Sequence, residues 1–239
     1  MLNITSIHVP KAADVLADLL REKILSGMIM EGSDLPNERE LGEKSGLSRS
    51  SVREALRVLE GEGLIAKRVG RNGGSAVMRP TSETIERSVR MFIRGQGIRL
   101  EAVLEARSAI EPASAQFAAM HRTEEDIAAL EVCHTKLELA SAAGDLSAYT
   151  KANLEWHVQV VCASHNELLM AFISAISQSV VLATELEGFN SLEVRNAVIT
   201  AHRKVMDAIK AKDGEAAARR MGRHMGAYVD NVKHFDKKS

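Results

Sequence analysis

Aromatic side chains are nearly missing from this chain: five Phe, two Tyr and one Trp make up 3% of 239 residues. Sheets draw heavily on aromatic and β-branched residues, whereas Ala, Leu and Met, abundant here, favour helix, so a mainly α fold is expected. Cysteine is equally scarce. Cys133 and Cys162 form no metal-type or redox-type pair, which predicts reduced thiols buried as small hydrophobes. No apolar run approaches the roughly 18 residues that cross a bilayer. The opening stretch MLNITSIHVPKAAD lacks the basic-then-apolar layout of a signal peptide, so a cytoplasmic location with no membrane partner is expected. With 45% hydrophobic and 26% charged residues, what remains is an ordinary soluble composition. Its length accommodates one large core or two modest ones.

Net charge is also close to absent, at −1, but the charges are unevenly placed. Residues 44–79 carry eight Lys or Arg against three Glu, whereas residues 81–239 carry 19 basic and 21 acidic groups. A basic block in a neutral chain is the footprint of a phosphate-binding module.

Apolar spacing predicts a helix from about Pro10 to Ser26, then a breaker-rich turn (MIMEGSDLPN) and a short helix from Glu38 to Lys44 that the Ser45-Gly46 break ends. Ser48 can cap a third helix running through Glu60. Its Val52, Ala55, Leu56 and Leu59 recur at i, i+3, i+4 and i+7, so they form one buried stripe. Residues 64–69 and 75–79 read as two strands around the turn GRNGG. Two short helices across a Gly-containing turn, followed by a hairpin, make a winged helix-turn-helix whose second helix enters the major groove. Arg49, Ser50 and Arg53 face away from the buried stripe near the start of that helix, where base edges are met, and Arg39 lies within reach on the helix before it.

Pro80-Thr81-Ser82 is the best boundary, giving a winged helix-turn-helix over 1–80 and an all-α antiparallel bundle over 81–239. Helices are expected near 83–95, 99–120, 124–143, 146–164, 166–187, 192–212 and 214–234. Thr123-Glu124-Glu125-Asp126 reads as a capping box with Asp in place of Glu. His157, His202 and His224 each lie on an expected helix among apolar residues, and Asn153 shares a face with His157. Three imidazoles converging in a bundle could hold a divalent cation; hydrogen-bonded core histidines fit the same pattern. A hydrolytic metal site would also use three histidines, but HExxH is absent and Glu155 faces away from His157.

The segment LPNERELGEKSGLSRSSVREALRVLEGEGLI resembles the DNA-binding domain of the GntR family of bacterial regulators, the likeness running from Ala12 to Met78. The resemblance implies Arg39, Arg49 and Arg53 as principal DNA contacts, with Ser48, Ser50 and Ser51 in support. It also implies that Gly70, at the wing tip, approaches the minor groove. LEARSAIEPASAQFAA, YTKANLEWHVQVVCASHNELL and AHRKVMDAIKAKDGEAAARRMGRHM resemble the effector domain of the fatty-acid-regulator branch, the FCD domain. That branch implies an effector-controlled repressor or activator acting as a homodimer on a palindromic operator. Many of its members bind a metal through Asp-x-x-x-His and two further histidines, falling here at Asn153, His157, His202 and His224, with Asn where Asp is usual. Zinc is the first expectation, with nickel or manganese as alternatives. Arg107 corresponds to an arginine facing the effector carboxylate, its competing role being an exposed pair with Glu111. Arg195, on the His202 face, is a weaker effector candidate.

Overall fold

A computed structural model describes residues 10–68, 74–184 and 191–236. The elements run α1 (Ala12–Leu25), α2 (Glu38–Ser45), α3 (Arg49–Gly61), β1 (Ile65–Arg68), β2 (Gly74–Val77), α4 (Ser82–Gly95), α5 (Leu100–His121), α6 (Glu124–Ala143), α7 (Leu146–Cys162), α8 (Glu167–Thr184), α9 (Leu192–Lys210) and α10 (Gly214–Asp236). Backbone contacts divide the chain into two compact units, one ending at Thr84 and the other starting at Ile85.

In the first unit every element of the helix-turn-helix has a local cause. Asn37 caps α2, its side chain accepting from Glu40 N at 3.0 Å while donating to Glu40 Oε1 at 2.9 Å. Gly46 ends the helix at φ 71°, a left-handed conformation that glycine adopts without a Cβ clash. Ser48 then caps α3, whose Val52, Ala55, Leu56 and Leu59 are buried as their spacing requires. They pack with Leu16, Leu20 and Ile24 of α1 and with Ile65 and Val77 of the hairpin. The hairpin pairs Ile65 with Val77 and Arg68 with Gly74. Its outer edge is used by the chain before α2: Leu35 N donates to Ser75 O at 2.8 Å, and Val77 N donates to Ser33 O at 2.9 Å. Part of the stretch expected to be a simple turn therefore covers the free edge of β2.

The second unit is all-helical among its described residues. Thr123 and Asp126 form the expected capping box, with bonds of 2.8 and 3.1 Å. Gly144, at φ 69°, turns α6 into α7, which Asp145 caps. Ser191 caps α9. α10 starts hard against α5: a Cβ on Gly214 would sit 3.1 Å from Gln116 Cγ and 3.3 Å from its carbonyl oxygen. The core closes around Trp156, fully buried among Leu130, Val160, Met206, Ile209 and Met221. No described helix is long and apolar enough to cross a membrane. Both cysteines are free and half-buried, and burial raises both thiol pKa values.

Candidate DNA-reading face and ligand cavity

In the first unit, Arg39, Arg49 and Arg53 line a groove of about 510 Å³ together with Lys67, Arg68 and Glu38. Arg53 rests on Glu38, donating from Nη2 at 2.9 Å and from Nε at 3.3 Å. That bond holds the Glu38 carboxyl below its usual range. Arg39 pairs with Glu43 at 3.6 Å, Lys67 with Glu60 at 3.0 Å, and Arg68 with Asp34 at 3.1 Å. Arg49 forms no ion pair among the described residues. Ser48, Ser50 and Ser51 cluster at the start of α3. The Ser48 hydroxyl accepts from Ser51 N at 3.2 Å and lies 2.8 and 3.0 Å from the other two hydroxyls. With no acid in its first turn, this helix end is electrostatically open to an anion. Gly70 lies outside the described residues. Lys67 and Arg68 join the groove beyond the residues expected from sequence, their only sequence signal being a basic strand beside the wing turn.

In the second unit, His157 of α7, His202 of α9 and His224 of α10 meet in the core. Their ligand nitrogens all lie within 4.8 Å of one another. His202 Nε2 is 3.1 Å from His224 Nε2, which is 3.3 Å from His157 Nε2. Local sequence explains the placement, since each histidine replaces an apolar residue on a buried helical stripe. Glu111, on α5, reaches in between. Its Oε2 accepts from His157 Nδ1 at 2.5 Å, and its Oε1 accepts from Arg107 Nε at 2.5 Å. Because His157 gives its Nδ1 proton to Glu111, its Nε2 keeps a lone pair pointing at the other rings. Trp156 covers the cluster, its ring stacked on His202 with centroids 3.6 Å apart.

Electrostatics keep these rings neutral. Burial, reinforced by the neighbouring His157 and opposed by Glu111, drops His224 to about 3, and burial takes His202 well below its ordinary value. Burial also lowers His157 against the pull of Glu111. For Glu111, burial pushes the pKa up, but Arg107 and His157 outweigh it and hold the carboxyl at about 2.

Arg107, His157 and His224 line a cavity of about 40 Å³ together with Asn153, Tyr149 and Tyr228. Asn153 Oδ1 and Arg107 Nη2 are buried there with no hydrogen-bond partner among the described atoms. The pair anticipated between Arg107 and Glu111 thus exists, but in the core rather than on the surface. Arg195 takes a different position. It is buried, donates to Ser141 Oγ at 3.1 Å and lies 6.0 Å from the Tyr149 ring centroid, and it is not among the residues lining the cavity. Glu111 was considered from sequence only as a surface partner of Arg107. Its contact with His157 spans 46 residues and has no local signal.

The chain can be compared with known proteins on this footing. Residues 12–74 match the family described as bacterial regulatory proteins, gntR family, and residues 102–227 match the FCD domain. It is 29% identical over 234 residues to an Escherichia coli (strain K12) protein named as an L-lactate dehydrogenase operon regulatory protein, covering 95% of this chain and 88% of that one. It is 27% identical over 229 residues to the Glc operon transcriptional activator of the same organism, covering 93% and 89%. A solved GntR structure from Streptococcus agalactiae superposes with a TM-score of 0.64 at 25% identity, covering 91% of this chain and 99% of that one. The winged helix-turn-helix and the helical unit are thus those of a transcription regulator rather than an enzyme, and the chain belongs to the GntR family of bacterial regulators carrying an FCD domain.

Proposed function

We propose that residues 1–80 bind a palindromic operator as half of a homodimer. In this reading, residues 81–239 dimerise and bind a small carboxylate effector. Arg39, Arg49 and Arg53 read the operator, supported by Ser48, Ser50, Ser51 and Gly70. Phosphate replaces carboxylate on the groove cations, because each exposed ion pair is weak enough to exchange. A symmetric pair engages both half-sites at once. The protein acts in the cytoplasm as a repressor or activator. The effector controls it by binding one arrangement of the dimer better than the other.

The observation that carries the sensing half is the convergence of three neutral imidazoles beside an unpartnered Asn153 oxygen, in a cavity that Arg107 also lines. Three nitrogen lone pairs and an amide oxygen are the donor set of a divalent ion, and zinc suits three imidazoles best. His157, His202, His224 and Asn153 would hold it, and Glu111 orients His157 as carboxylates commonly orient ligating histidines. The ion would supply a fixed positive charge for a carboxylate oxygen. Arg107, its Nη2 without a hydrogen-bond partner among the described residues, is placed to donate to the same group. Arg195 supports Tyr149 in the cavity wall and acts on the effector only through it.

The test is metal analysis of protein purified without chelator, followed by titration of L-lactate and of succinate against operator binding. We expect about one zinc per chain and a change in operator affinity on adding at least one of these acids. Zinc occupancy should be lost in His202→Ala and retained in Arg107→Ala. Metal-free wild-type protein that takes up no zinc in titration would remove the metal site. Asn153→Asp, which adds charge to the oxygen ligand, should tighten zinc binding.

A further inference from the structure

A second space adjoins the cavity. Between α9 and α10 runs a groove of about 840 Å³, and Val194, Val198, His224 and Tyr228 line both it and the inner cavity. The inner space, at about 40 Å³, holds only a few water-sized groups, since one water needs roughly 10–15 Å³. A carboxylate head fits there; the remainder of a larger effector must pass the shared rim into the groove.

The groove carries Lys204, Arg220 and Arg223 and no acidic residue in its lining. Several other cations of this unit are paired. Arg203 and Lys210 are neutralised by Glu131, Lys136 by Glu155, and Arg219 by Glu215. Among the described residues neither Arg220 nor Arg223 has a carboxylate partner. Their bonds go to backbone: Arg220 Nη1 donates to Lys204 O at 2.5 Å, bridging α10 to α9, and Arg223 Nε donates to Arg219 O at 3.4 Å. Cations gathered along a groove without acidic neighbours raise the local concentration of anions.

From this geometry we infer that the effector carries two anionic groups, a carboxylate held at Arg107 in the inner cavity and a second carboxylate or phosphoryl group held by Lys204, Arg220 and Arg223 in the groove. This rests on the cavity's being the effector site. A monoanion fills only half of the combined site, whereas a dianion gains charge-assisted bonds at the far end without disturbing the near one. The groove cations therefore set the effector class, and Arg107 sets the end that enters first.

The experiment uses the full chain and follows Trp156 fluorescence, the single tryptophan lying against His202. Butyrate is compared with succinate, and glycerate with 3-phosphoglycerate, in wild type, in Lys204→Gln/Arg223→Gln and in Arg107→Ala. At least one of the two acids with a second anionic group should bind about tenfold or more tightly than its monoanionic counterpart. That gain should fall below about threefold in the groove variant, with the monoanion affinity and melting temperature unchanged. The pair that shows the gain identifies the second group as carboxylate or phosphoryl. Equal binding of monoanion and dianion in both pairs, or a gain that survives in the groove variant, overturns the inference while leaving the cavity reading intact. Monoanion binding that is undiminished in Arg107→Ala, or no binding by any of the four acids, brings down the cavity reading and this inference with it.

Discussion

Arg53 in the basic groove of the first unit is 57% exposed and rests on Glu38, while Arg107 in the helical unit is 3% exposed and shares Glu111 with His157. Both are arginine–carboxylate pairs, yet they follow different physics. The outer pair sits in water, contributes at most about 1 kcal/mol and can be exchanged for a phosphate. The inner pair has lost its hydration, so neither partner can be removed without stranding the other's charge. One unit keeps its charges available; the other holds them in a fixed arrangement around a cavity.

The most severe way to test that contrast is Glu111→Ala. It should cost about 3–5 kcal/mol in urea unfolding, because Arg107 loses a desolvated partner and His157 its acceptor. The exposed Glu124→Ala should stay within about 0.5 kcal/mol. A Glu111 variant of near wild-type stability would mean that the core pair is no more committed than a surface one.

Acid should reveal the same difference with an effect of comparable size. His224 is held at about 3, against an ordinary 6.5, so the unfolded chain binds more protons than the folded one between those values. Stability should therefore fall as pH drops from about 6.5 toward 3. Glu111, held at about 2 against 4.5, adds a further loss at the lower end of that window. Replacing His224 with the neutral Gln should flatten the upper part of this profile in metal-free protein, and an unchanged profile would contradict the assignment.

A smaller effect is expected on the reading face, where binding rather than folding responds. Arg49→Ala and Arg53→Ala should each weaken operator affinity by about 1–3 kcal/mol while leaving the melting temperature alone. Equal losses on operator and random DNA, measured by fluorescence anisotropy, would show that these arginines touch only phosphate. The smallest change belongs to Lys67→Ala. It should lower the slope of log affinity against log salt by about one, as expected for a single phosphate contact.

Much of this was legible in the sequence, and the particular residues show why. Asn37, Ser48 and the Thr123–Asp126 box act on backbone amides three residues away, so their roles follow from order along the chain. The stripe Val52–Ala55–Leu56–Leu59 follows from helical period alone. Arg49 and Arg53 could be picked out because they face away from that stripe. Lys67 and Arg68 were harder to see, since a strand of four residues offers little period and their side chains join the groove only once the hairpin folds back on α3. For the histidines, periodicity established that each is on a helix but left their meeting open.

The sequence by itself thus determined the two-part organisation of helices, the winged motif and the family, because caps, breakers and apolar period act within a few residues. Only the tertiary structure decided that Glu111 joins Arg107 to His157, that Asn153 and Arg107 share one cavity while Arg195 stands against Tyr149, and that Lys204 meets Arg220 across a groove. Those contacts depend on how far each helix is rotated and shifted against its neighbours. Packing of whole helix faces settles that, and no short stretch of residues encodes it.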